Sequence, residues 1–164
     1  MKNFIIFTLL SFSLFACKNT SKLPDYDFTV KVVAVTDGDT FKGLTADNKQ
    51  ITFRMQGIDA PEKKQAYGNR SKEYLSELIF DKTVLIKIQT KSDRYGRHVV
   101  WVYTLDGKDV CAEMLKAGMA WHYKQYDKSE EYANLENQAR RKQIGLWKDK
   151  NPTPPWEYRK SKKK

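Results

Sequence analysis

Cysteine, histidine and long apolar runs are scarce in this chain of 164 residues, and each scarcity excludes something. Its two cysteines, Cys17 and Cys111, rule out a framework of several disulfides. Cys111 lies in the amphipathic run Val110-Cys111-Ala112-Glu113-Met114 and reads as a small buried hydrophobe. A thiol nucleophile needs an activating histidine, and neither His98 nor His122 can be placed beside it. The two histidines belong to no recognisable metal or nucleophile motif, so structural or surface roles are expected of both. The apolar stretch from Phe4 to Ala16 is too short to cross a bilayer as a helix. No internal repeat is visible.

That stretch follows Lys2 and reads instead as the core of a signal peptide. It closes on Leu14-Phe15-Ala16-Cys17, which looks like a bacterial lipobox, where the cysteine thiol is acylated before cleavage. Leu14 stands where an ordinary cleavage site wants a small side chain; an ordinary cut after Ala16 is the alternative. With a lipid on Cys17, Cys111 has no partner and the exported chain folds without an internal disulfide. The expected organisation is a leader over 1–16, a tether over 17–26, one folded domain over 27–158 and a basic tail over 159–164. The expected location is the cell envelope, outside the cytoplasm, with the membrane as a partner and the protein a monomer.

Hydrophobic residues make up 40% and charged residues 30%, which suits one folded domain rather than a disordered chain. Thirty Lys and Arg against twenty Asp and Glu leave a formal net charge of +10. Such an excess favours polyanions, either nucleic acid or an anionic membrane surface, and does not choose between them.

Period-two apolar spacing with β-branched residues predicts strands over 28–36, 51–58, 83–90 and 98–104, with a shorter one over 40–44. Helices are predicted over 69–80, 110–118 and 129–143, the last after Asp127 as a cap candidate. Five strands with a helix between the third and fourth suit an α+β architecture: an OB-fold, a five-stranded β-barrel with three helices. The proline-rich run 151–157 is expected to lie extended, anchored by Trp147 and Trp156. The tail Arg159-Lys160-Ser161-Lys162-Lys163-Lys164 reads as a solvated basic run, with contact to long polyanions as the alternative.

Three clusters are candidates for chemistry: Asp37-Gly38-Asp39-Thr40, Arg54 with Asp59-Ala60-Pro61-Glu62, and Asp93-Arg94-Tyr95-Gly96-Arg97. Singly, each also reads as a turn. Together they hold carboxylates at strand ends, suited to a hard cation such as Ca²⁺, and two arginines suited to phosphate oxygens. Glu62 is a further carboxylate able to take a proton from water. Trp121, Tyr123 and Tyr126 can serve either packing or base stacking. Spacing alone does not show that these groups meet.

From about Phe28 to Trp147 the sequence resembles the staphylococcal nuclease family. The residues that carry the resemblance are Val35-Thr36-Asp37-Gly38-Asp39-Thr40, the run from Phe53 to Glu62, and Asp93-Arg94-Tyr95-Gly96-Arg97. Gly145-Leu146-Trp147 and Pro154-Pro155-Trp156-Glu157-Tyr158-Arg159 are similar to bacterial members. The resemblance implies an OB-fold enzyme that hydrolyses DNA and RNA with Ca²⁺ and leaves 3′-phosphate ends. It implies Asp39 and Asp59 as metal-binding carboxylates, with the backbone carbonyl of Ala60 beside them and Asp37 nearby. Arg54 and Arg97 match the two phosphate-binding arginines, and Glu62 the proposed general base. Tyr95 matches a nucleotide-contacting tyrosine, and Tyr123 or Tyr126 another. Two departures stand out: Ala60 replaces a common threonine, and the run Lys63-Lys64-Gln65-Ala66 is several residues shorter than the flexible loop of the staphylococcal enzyme. The rival readings are a non-catalytic nucleic-acid-binding module, and an OB-fold lipoprotein that binds an envelope protein or glycan.

Overall fold

The computed structural model describes residues 23–162; the leader, Cys17 and most of the expected tether lie outside them. Strands β1 (Phe28–Val35), β2 (Thr40–Leu44), β3 (Gln50–Met55), β5 (Thr83–Thr90) and β6 (His98–Thr104) close a barrel in the order β1-β2-β3-β6-β5. A two-residue strand β4 (Ile58–Asp59) pairs outside the barrel with β7 (Trp121–His122). Helices α1 (Gly68–Ile79), α2 (Val110–Lys116) and α3 (Glu130–Arg141) pack on the barrel, followed by a 3₁₀ turn (Gly145–Lys148) and α4 (Pro155–Ser161). The described residues form an OB-fold, with four α-helices among them rather than the three expected.

Alternation along the strands turns Val30, Val32, Phe53, Met55, Val84, Ile86, Val100 and Val102 inward. Phe41 and Phe53 stack at 5.2 Å in the middle. Leu75 and Ile79 of α1, and Met114 and Leu115 of α2, close the same core. Each such side chain contributes roughly 1.5–3 kcal/mol through burial. Cys111 is part of this core, and burial pushes its thiol pKa well above the usual value, as an inert hydrophobe requires.

Three local expectations are corrected. The strand expected over 51–58 breaks after Met55, because Gly57 turns the chain at φ 76°. The cap of α3 is Ser129, whose hydroxyl accepts the Tyr132 N–H, while Asp127 accepts the Ser129 N–H and contacts His122 Nε2 at 2.8 Å. The segment expected to lie extended over 151–157 enters a helix at Pro155. Proline is tolerated there because the first N–H groups of a helix have no intrahelical partner and its fixed φ already matches the helix. The helix α4 runs on through Ser161 and so includes the start of the basic run.

Candidate active site

The barrel brings the three sequence clusters to one end through strand pairing. Antiparallel pairing of β2 and β3 sets Thr40 opposite Arg54, which places Asp39 next to that arginine. Parallel pairing of β3 and β6 sets Phe53 opposite His98 and Arg54 opposite Val99, so Arg97 arrives at the same edge. The β4–β7 pair sets Asp59 opposite Trp121. The Tyr123 N–H donates to the Gly57 carbonyl at 2.8 Å, which holds that ring beside the same edge.

Asp39 sits in a tight turn. Its N–H donates to Asp37 Oδ1, its carbonyl accepts the Met55 N–H at 2.8 Å, and its Oδ2 accepts the Ala60 N–H at 2.7 Å. Gly38 is required by close approach: a Cβ there would lie 1.9 Å from the Ser71 hydroxyl on α1. Nη2 of Arg54 spans both buried acids, at 3.0 Å from Asp39 and 3.1 Å from Asp59, while Nη1 donates to the Met55 carbonyl. Burial and then the charge of Asp39 push the Asp37 carboxyl up to about 7. Burial also raises that of Asp59, although the Arg159 guanidinium opposes it.

Arg97 is oriented by Asp93, whose carboxylate accepts its Nε and Nη2 at 2.9 and 2.7 Å and also the N–H groups of Tyr95 and Arg97. Partial burial works against the Asp93 anion, but those hydrogen bonds outweigh it and hold its carboxyl below the usual range. Tyr95 is 66% exposed and lies under the guanidinium groups of Arg94 and Arg97, 4.8 and 5.1 Å from the ring centre.

Asp37, Asp39, Arg54, Asp59, Glu62, Arg94, Tyr95, Arg97 and Arg159 line one cavity of about 330 Å³. Tyr123 lines an adjoining cleft of about 920 Å³ together with Glu62, Tyr95, Trp156 and Arg159. Tyr126 lines neither cavity; its ring packs against Tyr123 and its carbonyl accepts a Gln56 amide hydrogen. Of these two tyrosines, Tyr123 alone lines the cleft beside the site. Both histidines are packed into the structure, with His122 3% exposed and His98 against Phe53.

The short run after Glu62 is tied down. The Gln65 N–H donates to the Glu62 carbonyl, the Gln65 amide donates to the Thr153 carbonyl, and the Tyr158 hydroxyl donates to the Lys64 carbonyl. Gly68 lets α1 start against this turn, since a Cβ there would lie 2.0 Å from the Glu62 carbonyl oxygen.

A model of staphylococcal nuclease homologues matches residues 52–149. The chain belongs to the staphylococcal nuclease family. It is 42% identical over 159 residues to an uncharacterized endonuclease of Haemophilus influenzae, covering 97% of this chain and 83% of that protein. A second uncharacterized endonuclease, from Escherichia coli O157:H7, is 42% identical over 133 residues, 81% of this chain and 86% of its own. A staphylococcal-like nuclease of Arabidopsis thaliana is 45% identical over 115 residues, which make up 70% of this chain and 35% of the plant protein. As a family member with endonuclease relatives over most of its length, the chain is a nuclease, a phosphodiester hydrolase acting on nucleic acid.

Among the described residues no group of three or more His, Cys, Asp or Glu side chains forms a ready metal cage. The donors still fit a hard cation held partly by water and substrate oxygen. Two carboxylates, Asp39 and Asp59, lie close enough to share one guanidinium nitrogen, and Ala60 follows directly. Four acids and four arginines line the cavity; among the described residues Arg54 and Arg159 pair with Asp39, Asp59 and Glu62, and Asp37 has no ion pair.

Sequence reasoning missed Arg159. The sequence pattern places it in a solvated tail, yet Nη1 lies 3.1 Å from Asp59 Oδ1 and 2.8 Å from Glu62 Oε1, and Nη2 lies 2.8 Å from Asp59 Oδ2. The available signal was its place in Pro154-Pro155-Trp156-Glu157-Tyr158-Arg159, a patterned run that precedes the lysines.

Proposed function

We propose that this nuclease is calcium-dependent, hydrolyses both DNA and RNA, and leaves 3′-phosphate ends. The observation that carries the reading is the convergence of Asp39, Arg54, Asp59, Glu62 and Arg97 on one cavity. Asp39, Asp59 and the carbonyl of Ala60 would hold the ion. Bound there, Ca²⁺ would supply Lewis-acid polarisation of a phosphoryl oxygen. Arg97 keeps the guanidinium hydrogens that Asp93 does not use for the phosphodiester, and Arg54 brings a second cation fixed by the two acids. Both stabilise the negative charge that develops as water attacks. Glu62 has one oxygen on Arg159 and the other available to orient the water or take its proton. Tyr95 and Tyr123 offer aromatic faces to the nucleotides, and the charge of +10 draws in the polyanion.

The test is to incubate the protein with single-stranded DNA and with RNA, in calcium, in magnesium and in a chelator. Cleavage of both substrates in calcium, lost in chelator, is expected. DNA fragments should become extendable by a polymerase only after phosphatase treatment, because a 3′-phosphate blocks extension. Chelator-resistant cleavage, or fragments extendable at once, would overturn the mechanism.

We infer from the lipobox that the mature chain begins at an acylated Cys17 and acts in the cell envelope, outside the cytoplasm. Among the described residues no helix is long and apolar enough to cross a membrane. Mass spectrometry of the mature N-terminus should find lipid on Cys17; an unmodified N-terminus elsewhere refutes it.

A further inference from the structure

The helix α4 does more than close the chain. Trp156 stacks parallel on Tyr123 at 5.3 Å and meets Trp121 edge-on at 5.5 Å, while Tyr158 holds the Lys64 carbonyl. These contacts fix the helix so that Arg159 reaches across to Asp59 and Glu62. Asp59 is buried, and the guanidinium donates one hydrogen bond to each of its oxygens. Arg159 lines both the site cavity and the adjoining cleft, where Lys63, Lys64, Arg94, Lys160 and Lys162 add positive charge. Its partners are thus the expected metal ligand and the expected base, and its surroundings suit a polyanion.

Resting on the nuclease reading above, we propose that Arg159 is a third phosphate-binding arginine, held on Asp59 and Glu62 until a divalent cation and the phosphodiester take over those contacts. Two physical consequences follow. In the free enzyme the guanidinium opposes cation binding, because it occupies the Asp59 oxygens and repels a second positive charge. In the substrate complex its fork matches phosphate oxygens and adds to the grip of Arg54 and Arg97. A residue that merely fastened α4 would leave cation affinity unchanged or lower it by loosening the site. An exchanging arginine makes removal strengthen cation binding and weaken substrate binding at once.

The experiment compares the full chain with Arg159→Ala and Arg159→Lys, with circular dichroism to confirm folding. Calcium affinity is measured by calorimetry without substrate, and KM and kcat on single-stranded DNA at saturating calcium. Arg159→Ala is expected to bind calcium several-fold more tightly and to raise KM by about tenfold, the loss of one charge-assisted hydrogen-bonded contact. Arg159→Lys keeps the charge without the fork and should recover part of the KM change. Absence of divalent-dependent cleavage by the unmodified chain would overturn the nuclease mechanism and this inference with it. An active unmodified chain, with Arg159→Ala matching it in KM or binding calcium no more tightly, would overturn the inference alone.

Discussion

Asp39→Ala should lower divalent-cation affinity by at least about 100-fold, the upper end of what is lost when only an outer-shell partner of a metal ligand is removed. Cleavage at ordinary calcium should fall with it. Besides its expected part as an oxygen ligand, the carboxylate makes three contacts in the structure: it accepts the buried Ala60 N–H at 2.7 Å and the Thr40 hydroxyl at 3.1 Å, and it pairs with Arg54 at 3.0 Å. Raising calcium can restore occupancy but not those contacts, so recovery should be partial. Losing the acceptor should also cost about 1–3 kcal/mol of stability, since Ala60 N–H is left buried without a partner. Asp39→Asn separates the terms, because an amide oxygen can still accept that N–H while the charge is gone. It should be more stable than Asp39→Ala and still poor in cation binding. Calcium titration, denaturant unfolding and rates across calcium concentration read these quantities. Unchanged calcium affinity in both variants would remove Asp39 from the metal site.

Arg97→Ala should cut turnover by about 100- to 1000-fold, on the order of 3–4 kcal/mol of transition-state stabilisation. Cation affinity should change little, because Arg97 pairs with Asp93 and with neither Asp39 nor Asp59. The fold should also persist. The Arg97–Asp93 pair is partly exposed and such pairs contribute at most about 1 kcal/mol. Asp93 would still accept the backbone N–H groups of Tyr95 and residue 97 and so keep the hairpin shape. Arg97→Lys retains a charge without the fork and should fall between. Calcium, however concentrated, should not rescue either variant. Single-turnover rates at saturating metal make the measurement, and near wild-type turnover in Arg97→Ala would favour a non-catalytic binding module.

Much of this molecule was legible beforehand. Strand periodicity located four of the five barrel strands, because alternation of inward and outward side chains is a local constraint that a packed barrel imposes, and the short strand over 40–44 followed from the turn at Gly38. The acids and arginines of the site were recognisable as ordered motifs. What escaped was the C-terminal segment. Its prolines suggest a barrier to helix, whereas Pro155 stands at the first helical position, where the missing N–H carries no penalty. Once the helix was missed, the place of Arg159 was missed with it.

By itself, then, the sequence determined the barrel class, the candidate acids and arginines, and the family to which they are similar. These properties rest on local side-chain period and on residues adjacent in the chain. Tertiary structure alone decided which groups share a cavity. Parallel pairing of β3 with β6 brings Arg97 to Arg54, and the packing of Trp156 on Tyr123 brings Arg159 to Asp59 across 100 residues of chain. No local pattern encodes such a meeting, because it depends on how distant surfaces pack once the core has formed.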